Sequence, residues 1–164
     1  MKQWLPFHVP ELNEDEIDSV VSVLRSGWLT TGPKVKQFEQ EFAAITGVRH
    51  AIALNSCTAA LHLALDAVDV QAGDEVIVPT MTFAATAEVV AYFKAKPVLV
   101  DCTEGTLNID PEGLEKAITS RTKAIIPVHF AGHPCEMDEI MAIARSHNLP
   151  VIEDAAHALP ARYR

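Results

Sequence analysis

Residues 73–100, GDEVIVPTMTFAATAEVVAYFKAKPVLV, decide the fold class of this chain. Two short, continuous apolar runs, Val76–Val78 and Val98–Val100, flank a helical pattern over Phe83–Phe93. Continuous apolar runs of this length are typical of strands that are buried on both faces, as in a parallel sheet covered by helices. The segment therefore predicts a pair of strands joined by a crossover helix.

The same alternation continues on both sides of this segment. Further strands are predicted at Ala51–Leu54, Ala124–Val128 and Val151–Ile152. Further helices are predicted at Thr58–Val68, Pro111–Ala117 and Glu136–His147. A run of strand–helix units indicates an α/β layered domain. Since no repeat, low-complexity tract or linker interrupts it, we expect a single domain over residues 1–164.

Two amphipathic helices are predicted ahead of the sheet. The first covers Asn13–Arg25, with Asn13 as the N-cap and Glu16 completing a capping box. The second covers Val35–Ile45 and ends at Gly47.

Composition excludes several classes of protein. The 164 residues are 49% hydrophobic and 21% charged, which suits a folded domain with its own core. A net charge of −9 disfavours nucleic acid as a partner. No apolar run is long enough to span a membrane, and Met1–Pro10 does not resemble a signal peptide, so we expect a cytoplasmic protein. The spacing of Cys57, Cys102 and Cys135 suggests neither disulfides nor a metal site.

Ligands of such sheets bind at the carboxyl ends of the strands, where three loops carry informative residues. The first loop, Asn55–Ala60, consists of small residues and opens a helix. Backbone N–H groups at a helix N-terminus bind phosphate, and the hydroxyl of Ser56 or Thr58 could add a donor. The alternative is that one of these hydroxyls only caps the helix.

The second loop, Pro79–Phe83, places an aromatic ring at the mouth of a strand. Phe83 could lie flat on a planar heteroaromatic cofactor. The alternative is a core phenylalanine at the start of the following helix.

The third loop brings two carboxylates, two alanines and a histidine directly after a buried strand, in Glu153–His157. A carboxylate that is not solvated there needs a cationic partner, and a protonated pyridine nitrogen is one. The alternative is a surface acidic turn with a capping histidine. Together, a phosphate cradle, a stacking ring and an acid for a ring nitrogen match the needs of pyridoxal 5′-phosphate.

With these loops in view, the chain resembles the DegT/DnrJ/EryC1/StrS sugar aminotransferases, and among them those that aminate a nucleotide-linked 4-keto sugar. Five segments carry the resemblance: Ser26–Pro33, Asn55–Leu65, Gly73–Pro79, Lys123–His129 and Ile152–Ala158. The resemblance implies a three-layer α/β/α, mostly parallel sheet, as the N-terminal part of the large domain of a fold-type I transferase dependent on pyridoxal phosphate. It also implies polysaccharide biosynthesis, glutamate as a plausible amino donor and a homodimer.

The resemblance assigns roles to individual residues. Thr58 and Ala59 would bind the cofactor phosphate, Phe83 would stack on the pyridine ring, Asp154 would pair with the ring nitrogen and His157 would lie beside it. Three residues of an earlier segment would approach the substrate: Trp28, Thr30 and Thr31. Cys57 departs from the family, since relatives usually carry glycine or alanine there.

The family's Schiff-base lysine has no counterpart in this sequence, so we expect no catalytic residue of that kind. We also expect no metal site. None of the lysines matches it by pattern: Lys2, Lys34, Lys36, Lys94, Lys96, Lys116 and Lys123. We therefore expect a truncated chain that is inactive alone and is completed by a C-terminal segment. The alternative is a non-catalytic module of the same fold that binds a ligand or partner. A plain nucleotide-binding domain is disfavoured because the first strand–helix turn lacks a glycine fingerprint.

Overall fold

The computed structural model describes Pro6 and residues 9–164. The chain divides into two compact units, Met1–Ala53 and Leu54–Arg164. The assignment of residues 1–164 to one domain stays a prediction, because a division by contacts does not show whether either unit folds alone.

The described part of the first unit contains two helices, α1 (Glu14–Ser26) and α2 (Pro33–Thr46). The predicted capping box is confirmed. The Asp15 N–H donates to Asn13 Oδ1 at 2.9 Å, and the Asn13 N–H donates to Glu16 Oε2 at 2.8 Å. Each helix ends at a glycine in the left-handed conformation, which favours a residue without a Cβ.

The predicted strand at Ala51–Leu54 is wrong, since this segment forms no strand pairing. Its backbone takes a side-chain partner instead: the Ala53 N–H donates to Glu39 Oε1 at 2.9 Å. Ile52 is 79% exposed, so the apolar run is not a buried one.

The second unit is built on a parallel sheet in the order β2-β1-β3. Its strands are β1 (Glu75–Pro79), β2 (Lys96–Val100) and β3 (Thr122–Ile125). Both β2 and β3 run parallel to β1, as predicted.

The predicted strand at Val151–Ile152 is present only as two isolated parallel bridges, which join Ile125 to Val151 and Val128 to Asp154. They extend the sheet on the far side of β3. The predicted strand Ala124–Val128 is shorter than expected, because the ladder ends at Ile125 and the chain continues through these bridges.

Helices cover both faces of this sheet, which confirms the three-layer arrangement. The helices of the second unit are α3 (Cys57–Ala67), α4 (Ala85–Tyr92), α5 (Pro111–Ala117) and α6 (Met137–Ser146). Leu61 and Leu65 of α3 pack with Val89 and Val90 of α4 on one face. The second core, on the other face, contains Leu114 of α5 together with residues of α6.

The fully buried strand β1 shows how the two cores are divided. Val76 and Val78 belong to the core under α3 and α4, whereas Ile77 belongs to the core under α5 and α6. All three side chains are 0% exposed. Because successive side chains of a strand point to opposite faces, a continuous apolar run is what a doubly covered strand needs. Among the described residues, no helix is both long and apolar enough to cross a membrane.

A buried carboxylate closes the amino end of β1. Glu75 accepts from Thr119 Oγ1 at 2.6 Å and from an Arg121 guanidinium nitrogen at 2.6 Å, and Lys96 Nζ lies 3.7 Å away. The hydrogen bond from Thr119, followed by that from Arg121, holds the pKa of Glu75 below its ordinary value. The Glu75 carboxylate therefore ties the amino end of β1 to Thr119 and Arg121 ahead of β3 and to Lys96 of β2.

Glu75→Gln is expected to lower the thermal midpoint at pH 7 by several degrees, because the buried carboxylate loses the charge that its hydrogen bonds from Thr119 and from the exposed Arg121 side chain stabilise. Since the pKa is lower in the folded than in the unfolded chain, the carboxylate's stabilisation is complete above its ordinary value of 4.5 and is lost as pH falls further. The variant should therefore lose less stability than wild type below that pH. Thermal melts across pH would measure this difference. The control is Glu112→Gln, which removes the carboxylate of an exposed ion pair with Lys116. Equal pH slopes for wild type and Glu75→Gln would contradict the assignment.

Candidate functional site

The N-terminus of α3 lies at the carboxyl end of the sheet, where Cys57 contacts Asp154, and the loop before it begins at Asn55. Ser56 is the N-cap: the Ala59 N–H donates to Ser56 Oγ at 3.1 Å. The N–H groups of Cys57 and Thr58 form no hydrogen bond within the described residues. The helix end therefore offers two free donors and a half-buried Thr58 hydroxyl to an anion.

The capping by Ser56 refines the expectation for this loop. The capping interpretation is confirmed for the Ser56 hydroxyl, and the N–H groups of Cys57 and Thr58 stay free. The predicted ligand Ala59 has its N–H already occupied, whereas Cys57, which was not predicted to bind phosphate, has a free one. Binding of the phosphate by Thr58 and Ala59 stays a prediction.

Phe83 lies in the loop before α4 and is 77% exposed. The alternative of a core phenylalanine is therefore wrong. An exposed aromatic ring beside buried polar groups provides an apolar surface on which a flat ring can stack.

Asp154 is the most buried carboxylate at the carboxyl end of the sheet in the described chain, with 6% exposure. Its Oδ2 accepts from Thr86 Oγ1 at 2.9 Å, and its Oδ1 accepts from the Ala156 N–H at 3.3 Å. The Cys57 thiol lies 3.7 Å from Oδ1. The interpretation as a solvated surface turn is thus wrong for Asp154, which is held from three sides.

These contacts bring the three predicted loops together. Cys57 connects the start of α3 to Asp154, and Thr86 connects α4 to it. The Thr82 and Thr86 hydroxyls are 2.6 Å apart, so the loop that carries Phe83 joins the same network. Within residues 54–164, these contacts therefore join the start of α3, helix α4 and the loop that carries Phe83 to the buried carboxylate of Asp154.

Sequence reasoning missed Thr82 and Thr86. Their signal was a pair of hydroxyls four residues apart, of which Thr86 lies on an otherwise apolar face of α4. It also missed the contact of Cys57 with Asp154. Partial burial, and then the charge of Asp154, raise the pKa of the Cys57 thiol, so the thiol is protonated at neutral pH and can donate to the carboxylate.

Glu153 points away from Asp154 and binds a histidine that was not predicted as a site residue. His129 Nδ1 accepts from the Cys135 N–H at 3.1 Å, so the ring donates through Nε2 to Glu153 Oε2 at 2.8 Å. This hydrogen bond lowers the pKa of Glu153. The backbone N–H of His129 also donates to the backbone carbonyl of Asp154 at 3.1 Å, which holds the backbone of Asp154 in place.

His157 is exposed and packs edge-on against Phe130, with ring centroids 6.3 Å apart. It does not cap the turn through its side chain among the described contacts. Its predicted place beside the cofactor ring stays a prediction.

The residues predicted to approach the substrate belong to the first unit. Trp28 Nε1 donates to the Thr31 carbonyl at 2.9 Å, which fixes the indole. Trp28 and Thr30 line a cavity of about 480 Å³ together with Leu29. Their role in substrate binding stays a prediction.

The four lysines of the second unit lie away from the carboxyl end of the sheet. Lys96 starts β2 beside Glu75, Lys94 precedes it, and Lys123 is near the start of β3. Lys116 pairs with Glu112 on α5. Lys2 falls outside the described residues. In the part of the chain that the structure describes, no cluster of side chains could hold a metal ion.

Comparison with known proteins supports the geometry. The model of the DegT/DnrJ/EryC1/StrS aminotransferase family matches residues 10–164. The spore coat polysaccharide biosynthesis protein SpsC of Bacillus subtilis is 53% identical over 161 residues, covering 98% of this chain and 41% of SpsC.

Two solved structures show the same fold. An aminotransferase from Psychrobacter cryohalolentis is 46% identical with a TM-score of 0.92, covering 96% of this chain and 41% of that one. A GDP-4-keto-6-deoxymannose-3-dehydratase with a trapped PLP-glutamate geminal diamine is 32% identical with a TM-score of 0.90, covering 97% and 43%. The chain thus spans less than half the length of these relatives.

Proposed function

Because this chain belongs to the DegT/DnrJ/EryC1/StrS aminotransferase family, we propose that residues 54–164 supply the pyridoxal 5′-phosphate site of an enzyme that transfers an amino group to a sugar. The observation that carries the proposal is the buried Asp154 carboxylate, with hydrogen-bond donors on both oxygens, next to the loop of an exposed Phe83. A carboxylate in such a place favours a cationic ligand group, and an aromatic surface beside it favours a flat ring.

Each part of the cluster has a task in this proposal. The free N–H groups at the start of α3 and the Thr58 hydroxyl would hold the phosphate. Phe83 would cover one face of the ring, and Asp154 would hold the proton on the ring nitrogen. When bound, the cofactor supplies an electron sink that eases removal of a proton from the amino donor.

The substrate in this proposal is a keto sugar linked to a nucleotide, with glutamate as amino donor. The name of SpsC supports a role in polysaccharide biosynthesis, and that of the GDP-4-keto-6-deoxymannose-3-dehydratase supports a nucleotide-linked keto sugar. The trapped PLP-glutamate adduct of the dehydratase supports the donor. A homodimer, or assembly with a C-terminal segment, would complete the site. Three free thiols suit a cytoplasmic location.

A second candidate is a non-catalytic module that binds the cofactor or a partner without turnover. The position of the second unit's lysines favours it, since those at the strands lie at the amino end of the sheet and Lys116 is paired on α5. Without an amine at the site, transamination lacks its central acid and base.

Cofactor titration is the experiment that tests both candidates. We expect weak, reversible binding of pyridoxal 5′-phosphate, with a dissociation constant of about a micromolar or weaker, because one desolvated ion pair contributes only a few kcal/mol. Absorbance of the bound cofactor would measure the affinity, and borohydride followed by mass spectrometry would detect covalent attachment. We expect no adduct. A borohydride-stable adduct on Lys123 or another lysine would show that the lysine assignment is wrong, and no binding at all would refute the proposed site.

A further inference from the structure

The two oxygens of Asp154 are held unequally. Oδ2 has one short partner, the Thr86 hydroxyl at 2.9 Å. Oδ1 has only longer contacts, the Ala156 N–H at 3.3 Å and the Cys57 thiol at 3.7 Å. The firm anchor of this carboxylate is therefore Thr86.

The direction of the hydrogen bonds follows from the chemistry of the groups. A carboxylate can only accept, so Thr86 spends its single proton on Asp154. The hydroxyl of Thr82, 2.6 Å from that of Thr86, must then donate to it. The result is a directed chain from Thr82 through Thr86 to Asp154, in which each hydroxyl strengthens the next as a donor.

The buried position of Thr86 holds this row of hydrogen bonds in place. Thr86 is 0% exposed and lies on α4 among the buried side chains of Ala85, Val89 and Val90. A hydroxyl buried there without a partner would destabilise the fold. Its partner lies 68 residues further along the chain, so the pairing joins α4 to the loop after Val151.

We propose that Thr86 is a positioning residue that orients the Asp154 carboxylate for the cofactor ring. With Oδ2 committed to Thr86, Oδ1 is the oxygen left to accept the N–H of a protonated pyridine ring. The inference rests on the proposed function, since the ring is that of pyridoxal 5′-phosphate.

Two variants of the full chain distinguish the effect of the Thr86 hydroxyl from the effect of its methyl group. Thr86→Val keeps the shape and removes the donor, and is expected to weaken cofactor binding about tenfold, as for a hydrogen bond to a charged group. Thr86→Ser keeps the donor and removes a methyl group, and is expected to bind within about twofold of wild type although it is less stable. Cofactor absorbance titrations and thermal melts measure both properties.

The control is Thr119→Val, which removes the hydroxyl that donates to the buried Glu75 at the opposite end of the sheet, although Thr119 itself is exposed. It should lower stability and leave cofactor affinity unchanged. A second readout needs no cofactor: amide hydrogen exchange at Ala156 should accelerate in Thr86→Val, because the Asp154 carboxylate that accepts its N–H is released, and not in Thr119→Val.

Three outcomes would overturn the inference. Equal cofactor affinity for wild type and Thr86→Val, or an affinity loss in Thr86→Ser as large as in Thr86→Val, would refute the role of Thr86 alone. Failure of the wild-type chain to bind the cofactor would refute the proposed function and the role of Thr86 with it.

Discussion

Asp154→Asn is expected to weaken binding of pyridoxal 5′-phosphate by about a hundredfold, the largest change we expect from any single substitution in this chain. The amide keeps the shape of the carboxylate but removes its charge, so a protonated ring nitrogen would lose its counter-ion in a buried place. The Thr86 hydroxyl can still donate to the amide oxygen, so the fold should be retained. Cofactor absorbance titration measures the affinity, and a thermal melt checks the fold.

Asp101→Asn provides the matched control. Asp101 also follows a strand at the carboxyl end of the sheet, accepts from the Thr80 hydroxyl at 3.2 Å, and is exposed. Its substitution should leave cofactor affinity unchanged. A similar loss of affinity in both variants would indicate a diffuse effect of net charge, and would argue against Asp154 as the specific partner.

The chain by itself is expected to show no amino transfer from glutamate to a nucleotide-linked keto sugar above the rate of the free cofactor. The reason is that none of the four lysines of the second unit lies at the carboxyl end of the sheet. Detection of aminated sugar by mass spectrometry is the measurement. Steady product formation by the chain alone would contradict the prediction.

Complementation is the companion experiment to that assay. Adding the part of SpsC that this chain does not match should restore turnover if that part supplies the missing amine and the two pieces assemble. The same mixture made with Asp154→Asn should remain inactive. Restoration by both versions would show that the added segment works without this chain's site.

Periodicity predicted most of the fold because local pattern and burial agree. Val76–Val78 is apolar throughout and lies between two covered faces. Asn13 and Glu16 form the capping box that their spacing indicates. The pattern failed at Ala51–Leu54, where the apolar run is exposed and its backbone bonds to the side chain of Glu39. Sequence periodicity carries no information about such a distant partner.

In the candidate site too, residues beside a predicted strand could be predicted from the sequence, whereas residues whose partners lie far along the chain could not. Asp154 and Phe83 were predicted as site residues because each follows a strand-like run, at the end of the sheet where ligands bind. Their roles toward a cofactor stay predictions. Thr86 was missed because its importance comes from a residue 68 positions away. His129 was missed because its partner, Glu153, was considered only together with Asp154.

The long separations between the site's residues also bear on how the protein acquires its shape. The contacts of Asp154 reach back 68 residues to Thr86 and 97 residues to Cys57. Closing loops of that length is slow and unfavourable until most other contacts have formed. The segment from β1 to β2 can collapse early and bury Thr86, but the Asp154 carboxylate that accepts from Thr86 lies outside that segment. Any ligand of Asp154 therefore selects chains that have finished folding, stabilises them by mass action, and leaves the early steps of collapse untouched.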